Sequence, residues 1–192
     1  PKNWQALDRA LENLETYRWI IFTSANGVKF FFARLRETGR DIRDLKGIRI
    51  CTIGPATAAT IEAMGIRVDL IPEAYISEGI VKAFANQDIK GRKILLPRAE
   101  TARDVIPEEL AKMGAGVAVV TVYRPVASER KKKELMPLIG AGKVDVITFT
   151  SPSTVHNFIS IMGKKFRLPP QIRIACIGPV TAAAAKKAGL NV

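Results

Sequence analysis

One histidine, His156, and two cysteines, Cys51 and Cys176, are the only imidazole and thiol groups in this 192-residue chain. That set is too small for a zinc site, so the sequence implies no metal. The cysteines fall in apolar runs of separate segments, where packing as small hydrophobes is expected rather than a disulfide, and a reducing, cytoplasmic setting follows. Aromatic residues make up only 7% and are not interleaved with basic ones in the manner of RNA-binding surfaces. No apolar stretch reaches the length needed to span a bilayer, and no signal-peptide pattern opens the chain. A lysine-bearing phosphate loop, a dinucleotide fingerprint, a G-x-S-x-G elbow and a Cys–His pair are all missing. Acids are scarce too, with 18 Asp and Glu against 30 Lys and Arg. The resulting charge of +12 leaves nucleic acid, an acidic membrane surface or a polyanionic small molecule as partners. Its densest run, Arg130-Lys131-Lys132-Lys133, sits beside Glu129 and Glu134 and reads most simply as a solvated helix face.

What is present is a repeated phrase. Ile48-Arg49-Ile50-Cys51-Thr52-Ile53-Gly54-Pro55-Ala56-Thr57-Ala58-Ala59 returns as residues 172–183, changed only at Cys51/Ala175, Thr52/Cys176 and Ala56/Val180. Phe22-Thr23-Ser24 returns as Phe149-Thr150-Ser151 at nearly the same offset. Each copy runs from an apolar strand through a Gly/Ser/Thr/Pro turn into a helix. Two related α/β units could therefore present matched helix starts to one ligand.

Apolar periodicity alternates along the whole chain. Helices are expected over Trp4–Thr16, Asn26–Arg36, Pro55–Met64, Glu78–Ala85, Asp104–Met113, a segment ending near Ile139, Ser153–Met162 and Pro179–Lys187. Strands are expected at Trp19–Thr23, Ile48–Ile53, Val68–Ile71, Lys93–Leu96, Val117–Tyr123, Val144–Thr148 and Ile172–Ile177. Continuous β-branched strands alternating with helices indicate parallel sheets covered on both faces. Gly65, Gly114 and Gly189 stand where helices end, and Pro55 and Pro179 where they begin. Arg124-Pro125-Val126-Ala127 is the expected interdomain crossing.

Ligands of open α/β sheets sit beyond the carboxyl ends of the strands, on helix N-termini. Those positions carry Ser24, Gly54 to Thr57, Ser77, Ser151 to Ser153, and Gly178 to Thr181. Hydroxyls and free N–H groups there suit carboxylates or phosphates but supply no nucleophile–base pair. Plain helix capping accounts for any one of them, although the duplicated Gly-Pro-x-Thr exceeds what capping requires. Glu100 and Asp104 beside Arg98 and Arg103 read as an ion-pair network. Within its helix, His156 reads as a surface or half-buried residue. Tyr123 closes a strand just before the crossing; on the residues alone it is an aromatic plug with its hydroxyl at the strand end.

Taken in order, Phe22-Thr23-Ser24-Ala25-Asn26-Gly27-Val28, Ile53-Gly54-Pro55-Ala56-Thr57, Leu95-Leu96-Pro97-Arg98-Ala99-Glu100, Thr121-Val122-Tyr123-Arg124, Phe149-Thr150-Ser151-Pro152-Ser153 and Ile177-Gly178-Pro179-Val180-Thr181 closely resemble uroporphyrinogen-III synthases across essentially the full length. The resemblance implies an α/β fold of two flavodoxin-like parallel-sheet domains joined by a short two-stranded connector, with a cleft between them. Residues 3–122 would be the continuous domain, 123–127 the connector and 128–192 part of a second, chain-end-assembled domain. That part would lack the family's first strand and helix and its last elements.

The implied substrate is hydroxymethylbilane, a linear tetrapyrrole with eight carboxylates, cyclised without metal or organic cofactor. The resemblance makes Tyr123 the proton donor to the departing hydroxyl, and Ser24, Thr57, Ser151, Ser153 and Thr181 cleft hydroxyls. Ser77 joins them as a helix-start residue. A monomer without nucleic-acid or membrane partners is expected. Two other classes stay open: a non-enzymatic two-domain binder of an acidic small molecule, insensitive to Tyr123, and a basic module binding nucleic acid with a steep salt dependence.

Overall fold

The computed structural model describes residues 3–124, 129–163 and 166–192. The chain forms two compact units, Pro1–Pro125 and Val126–Val192. Residues 125–127 of the expected connector lie outside the described residues.

The first unit is built on four parallel strands, β1 (Tyr17–Phe22), β2 (Arg49–Thr52), β3 (Lys93–Ala99) and β4 (Gly116–Tyr123), in the spatial order β2-β1-β3-β4. Strand alternation distributes the apolar residues to two helical layers. Ile20, Phe22, Ile50, Leu95, Val120 and Val122 face one core with residues of α1 (Gln5–Glu12), α2 (Ala25–Glu37) and α3 (Pro55–Glu62). Trp19, Ile21, Cys51, Ile94 and Leu96 face the other, against α4 (Ser77–Phe84) and α5 (Val105–Lys112). Aromatic edges lock both layers. Phe31 meets Phe22 and Phe32 edge-on at 5.4 and 5.3 Å, and Trp19 meets Phe84 at 4.9 Å. Such pairs add about 0.5–1.5 kcal/mol beyond area burial.

Two local expectations are corrected. The helix expected over Trp4–Thr16 ends at Glu12, and a 3₁₀ turn covers Leu14–Thr16. Asn13 causes the break: its side-chain amide donates to the Arg9 carbonyl at 2.7 Å, competing with the backbone for a helix acceptor. Val68–Ile71 is not a strand but a single bridge from Leu70 to Cys51. The Asp69 carboxylate accepts the Ile50 N–H at 2.7 Å, so a side chain takes a donor that a regular ladder would use.

The remaining stops behave as expected. Gly65, Gly114 and Gly189 follow α3, α5 and the last helix at φ of 78, 87 and 80°, left-handed values that glycine adopts without a Cβ penalty.

Two irregularities shape the carboxyl end of this sheet. The β1–β3 ladder stops at the Ile20–Leu95 pair, two residues before Pro97. Proline has no N–H to continue it, so the strands are unpaired at the point where strand order reverses. The first turn of α2 fills part of the gap: a Cβ on Gly27 would stand 3.4 Å from the Pro97 carbonyl oxygen. Between β3 and β4 the register jumps, with Arg98 opposite Thr121 but Ala99 opposite Tyr123. This bulge puts Val122 and its neighbour Tyr123 against the same core, where simple alternation would separate them.

The second unit holds the parallel pair β5 (Val146–Phe149) and β6 (Arg173–Cys176), with α6 (Glu129–Gly140), α7 (Pro152–Met162) and α8 (Pro179–Lys187). Phe149, Val155 and Ala185 form one small core, and Ile139, Met162 and Ile172 another. The repeated phrases are repeated geometry. Phe22 pairs with Thr52 as Phe149 pairs with Cys176. The next N–H returns to the phenylalanine carbonyl in both, from Ile53 at 2.9 Å and from Ile177 at 3.0 Å.

Cys51 and Cys176 are both free thiols, the first buried and the second half-buried. Among the described residues no helix is long and apolar enough to cross a membrane.

Candidate active site

At the carboxyl end of the first sheet, α2 begins with Ser24, whose hydroxyl accepts the Gly27 N–H at 3.0 Å. The same oxygen lies 3.0 Å from the Tyr123 phenol. Tyr123 reaches it because of the bulge, and its ring stacks on Phe30 of α2 at 5.7 Å and 16°. The phenol is thus held by one hydrogen bond and one ring face at the carboxyl end of the sheet, half-buried rather than sealed.

The neighbouring helix starts are left open. α3 begins at Gly54 and α4 at Ile76, and neither is capped by a side chain. Thr57 is buried at 5% exposure, and no hydrogen bond engages its hydroxyl among the described residues. Ser77 is half-buried in the first turn of α4. In these first turns the Ala56 and Ser77 N–H groups have no hydrogen-bond partner among the described residues, and the helix dipoles behind them favour an anion.

Free cations contribute less. Arg98 pairs with Asp104 and donates to the Arg103 carbonyl at 2.8 Å. Arg103 pairs with Glu78 at 3.0 Å. Glu78 sits below its ordinary pKa, because its own backbone N–H and then Arg103 stabilise the carboxylate. The ion-pair reading of Arg98, Arg103 and Asp104 therefore holds. Glu100 instead uses its backbone, donating its N–H to the Tyr123 carbonyl at 3.0 Å.

Sequence reasoning passed over Tyr75. Its ring covers Gly54, and a Cβ there would come within 3.1 Å of it. The φ of Gly54 is −176°, extended backbone open to any residue, so the close ring is what favours glycine. Tyr75 remains 59% exposed, followed by the exposed Ile76. Gly79 fixes this loop, since any side chain there would collide with the Ala74 carbonyl. The available signal was an aromatic residue, Tyr75, in a proline-bearing segment directly before a helix.

The second unit repeats the pattern with different details. Ser151 caps α7 by accepting the Thr154 N–H at 3.3 Å, and its hydroxyl lies 2.9 Å from that of Ser153. α8 starts at Gly178 without a side-chain cap, with Thr181 buried at 3%. No aromatic ring covers Gly178, and Ile177 and Val180 beside it are 74% and 72% exposed. The structure thus brings Ser24 to Tyr123 and Ser151 to Ser153. Thr57, Ser77 and Thr181 stand on separate helices. His156 is exposed on α7.

The family model for uroporphyrinogen-III synthase HemD matches residues 1–192. The chain belongs to the uroporphyrinogen-III synthase family. A putative uroporphyrinogen-III synthase of Methanothermobacter thermautotrophicus is 37% identical over 183 residues, covering 92% of this chain and 72% of the relative. The uroporphyrinogen-III synthase of Chlorobaculum parvum is 31% identical, covering 94% and 74%. Among solved structures, uroporphyrinogen-III synthetase from Helicobacter pylori superposes with a TM-score of 0.63 at 20% identity, covering 93% of this chain and 76% of that one. A uroporphyrinogen III synthase mutant from Thermus thermophilus gives 0.61 at 17%, covering 98% and 74%. At those identities the likeness is one of fold, a mixed α/β architecture with parallel sheets.

Proposed function

We propose that this protein is a hydro-lyase that cyclises hydroxymethylbilane to uroporphyrinogen III. The observation that carries the reading is the Ser24–Tyr123 hydroxyl pair, set at the carboxyl end of the sheet among uncapped helix starts. Ser24 already accepts from the Gly27 N–H. If its proton points at the phenol oxygen, the Tyr123 proton is left free to point outward. Tyr123 then protonates the terminal hydroxyl of the bilane as it leaves as water, which yields an azafulvene. Carbon attack through a spiro intermediate inverts the last pyrrole ring, and loss of a proton after macrocycle closure restores the balance. General-acid help of this kind is worth about 10²–10⁴-fold.

In this reading Thr57, Ser77, Ser151, Ser153 and Thr181, with the helix N–H groups beside them, receive substrate carboxylates. Tyr75 offers a pyrrole ring a flat face. No nucleophile is required, because the main task is to hold the chain in the inverting conformation against spontaneous closure to the type I isomer. A monomer working in a reducing cytoplasm belongs to the same proposal, supported by two free thiols.

The deciding experiment supplies hydroxymethylbilane and separates the product isomers. Type III product formed faster than the spontaneous type I isomer supports the proposal. Tight binding of the bilane with only type I product would make the protein a non-enzymatic binder of acidic small molecules.

A further inference from the structure

At the other end of the first sheet, where β1, β2 and β3 begin, a cavity of about 320 Å³ is lined by Arg18, Trp19, Arg49, Asp88 and Arg92. We propose that this pocket binds a small phosphate-bearing anion, with inorganic phosphate or pyrophosphate as its simplest occupants. Parallel strands deliver the first two arginines side by side: Trp19 is registered with Arg49, so Arg18 and Arg49 start adjacent strands. Arg92 immediately precedes β3, on the opposite side of β1.

The floor is built rather than incidental. Trp19 is 1% exposed, and the Arg49 guanidinium lies over its ring at 4.3 Å. Arg49 is further aimed by donating to the Gln87 side-chain oxygen at 3.0 Å. A guanidinium stacked on an aromatic face keeps its edge donors available while its orientation is fixed.

The positive charge is under-neutralised. Asp88, the one carboxylate in the lining, is 3.4 Å from Arg92, and both are exposed. Asp69 approaches Arg49 only to 3.9 Å, and its other oxygen is committed to the Ile50 N–H at 2.7 Å. Arg18 has a long contact of 3.5 Å with the Gly47 carbonyl and no carboxylate partner among the described residues. These arginines are not helix-end compensators either, since none lies in the last turn of a helix. Two carboxylates stand beside three guanidiniums, and only Asp88 lines the cavity, so the cluster keeps a positive charge that an anion would neutralise. A phosphate group, with more charge and more acceptor oxygens than a single carboxylate, fills that role better.

The pocket lies at the strand ends opposite Ser24 and Tyr123, so its occupancy is independent of the proposed reaction. Trp19 provides the readout. Phosphate and pyrophosphate are titrated at constant ionic strength, followed by calorimetry and tryptophan emission, with chloride and acetate as controls. Saturable binding of the phosphates is expected, weakened about tenfold by Arg18→Gln or by Arg92→Gln. Asp88→Asn, which removes the competing carboxylate, should tighten it. Circular dichroism checks that each variant is folded, and Tyr123→Phe should bind phosphate unchanged. A response no different from chloride, acetate binding as tight as phosphate, or equal affinity in the folded Arg18→Gln/Arg92→Gln double variant would overturn the proposal.

Discussion

The Tyr123 phenol and the Ser24 hydroxyl lie 3.0 Å apart although 99 residues separate them in the chain. One belongs to the last strand of the sheet and the other to the turn after the first. Between them runs β3, whose bulge against β4 and missing pairing to β1 let the two hydroxyls meet. Tyr123→Phe keeps the ring on Phe30 and deletes only the oxygen. Its melting temperature should stay close to that of the parent, while turnover falls by about 10²–10⁴-fold. Product should shift from the type III toward the type I isomer. Unchanged turnover with purely type III product would remove Tyr123 from the mechanism. Ser24→Ala should give a smaller loss of turnover and also cost about 1 kcal/mol of stability through the lost cap.

The two Gly-Pro turns should respond differently to the same change. Gly54→Ala pushes a methyl group against the Tyr75 ring, whereas Gly178→Ala meets nothing within 4 Å. Both backbones are extended, so neither substitution incurs a conformational penalty. Both glycines are helix N-caps, where alanine is poorer, so we expect both changes to lower the melting temperature, Gly54→Ala by more because of the added ring contact. In a Tyr75→Ala background the Gly54 penalty should fall to that of Gly178→Ala, a coupling that a double-mutant cycle reads directly. Additive effects of the two substitutions would contradict the contact.

The two thiols should separate cleanly in a labelling experiment. Burial pushes the Cys51 thiol up to about 12, so thiolate is almost absent there at neutral pH. Cys176 is only half-buried. A thiol reagent at pH 8 should modify Cys176 first and Cys51 only when the first unit unfolds. Two fast, equal thiols would show that the β2 core opens readily.

Acid should destabilise the first unit in a defined direction. Hydrogen bonds from the Arg34 side chain, both 2.7 Å, hold Asp8 below its ordinary pKa. The Arg43 side chain and then its backbone N–H take Asp41 down to about 2. Because folding lowers these values, their stabilisation is complete above the unfolded carboxylate range and is lost as pH falls through the folded ones. The melting temperature should therefore drop between about pH 4 and about pH 2, less steeply in high salt. Asp8→Asn should flatten part of that slope. A melting temperature that rose on acidification would contradict the sign.

Much of this architecture could be read in advance, because alternation of apolar periods is what builds the layers. Ile20 and Phe22 against Trp19 and Ile21 is a pattern visible in the sequence, and so is each glycine stop. Local competition by short polar side chains was less legible. Asn13 and Asp69 each divert a backbone hydrogen bond, and neither effect alters the apolar pattern from which elements are inferred. At the candidate site, helix starts were legible as positions but not as partnerships. That Ser24 meets Tyr123 depends on a one-residue register jump, which reverses the face a strand residue takes and leaves no mark in composition. Tyr75 was hidden for a different reason: its partner, Gly54, is a residue without a side chain.

Pro97 gives the parting of β1 and β3 a permanent character. A gap held open by a ligand closes when the ligand leaves, and its width then varies with occupancy. Here the parting of the strands follows from a nitrogen that carries no hydrogen, so it is set by the chain itself and not by a ligand. The neighbouring strands cannot zip shut between turnovers, and no energy need be spent parting them. Replacing Pro97 by valine would restore the missing donor and let β1 and β3 pair toward their ends. A protein made more stable by that one atom would be expected to bind its ligand less well.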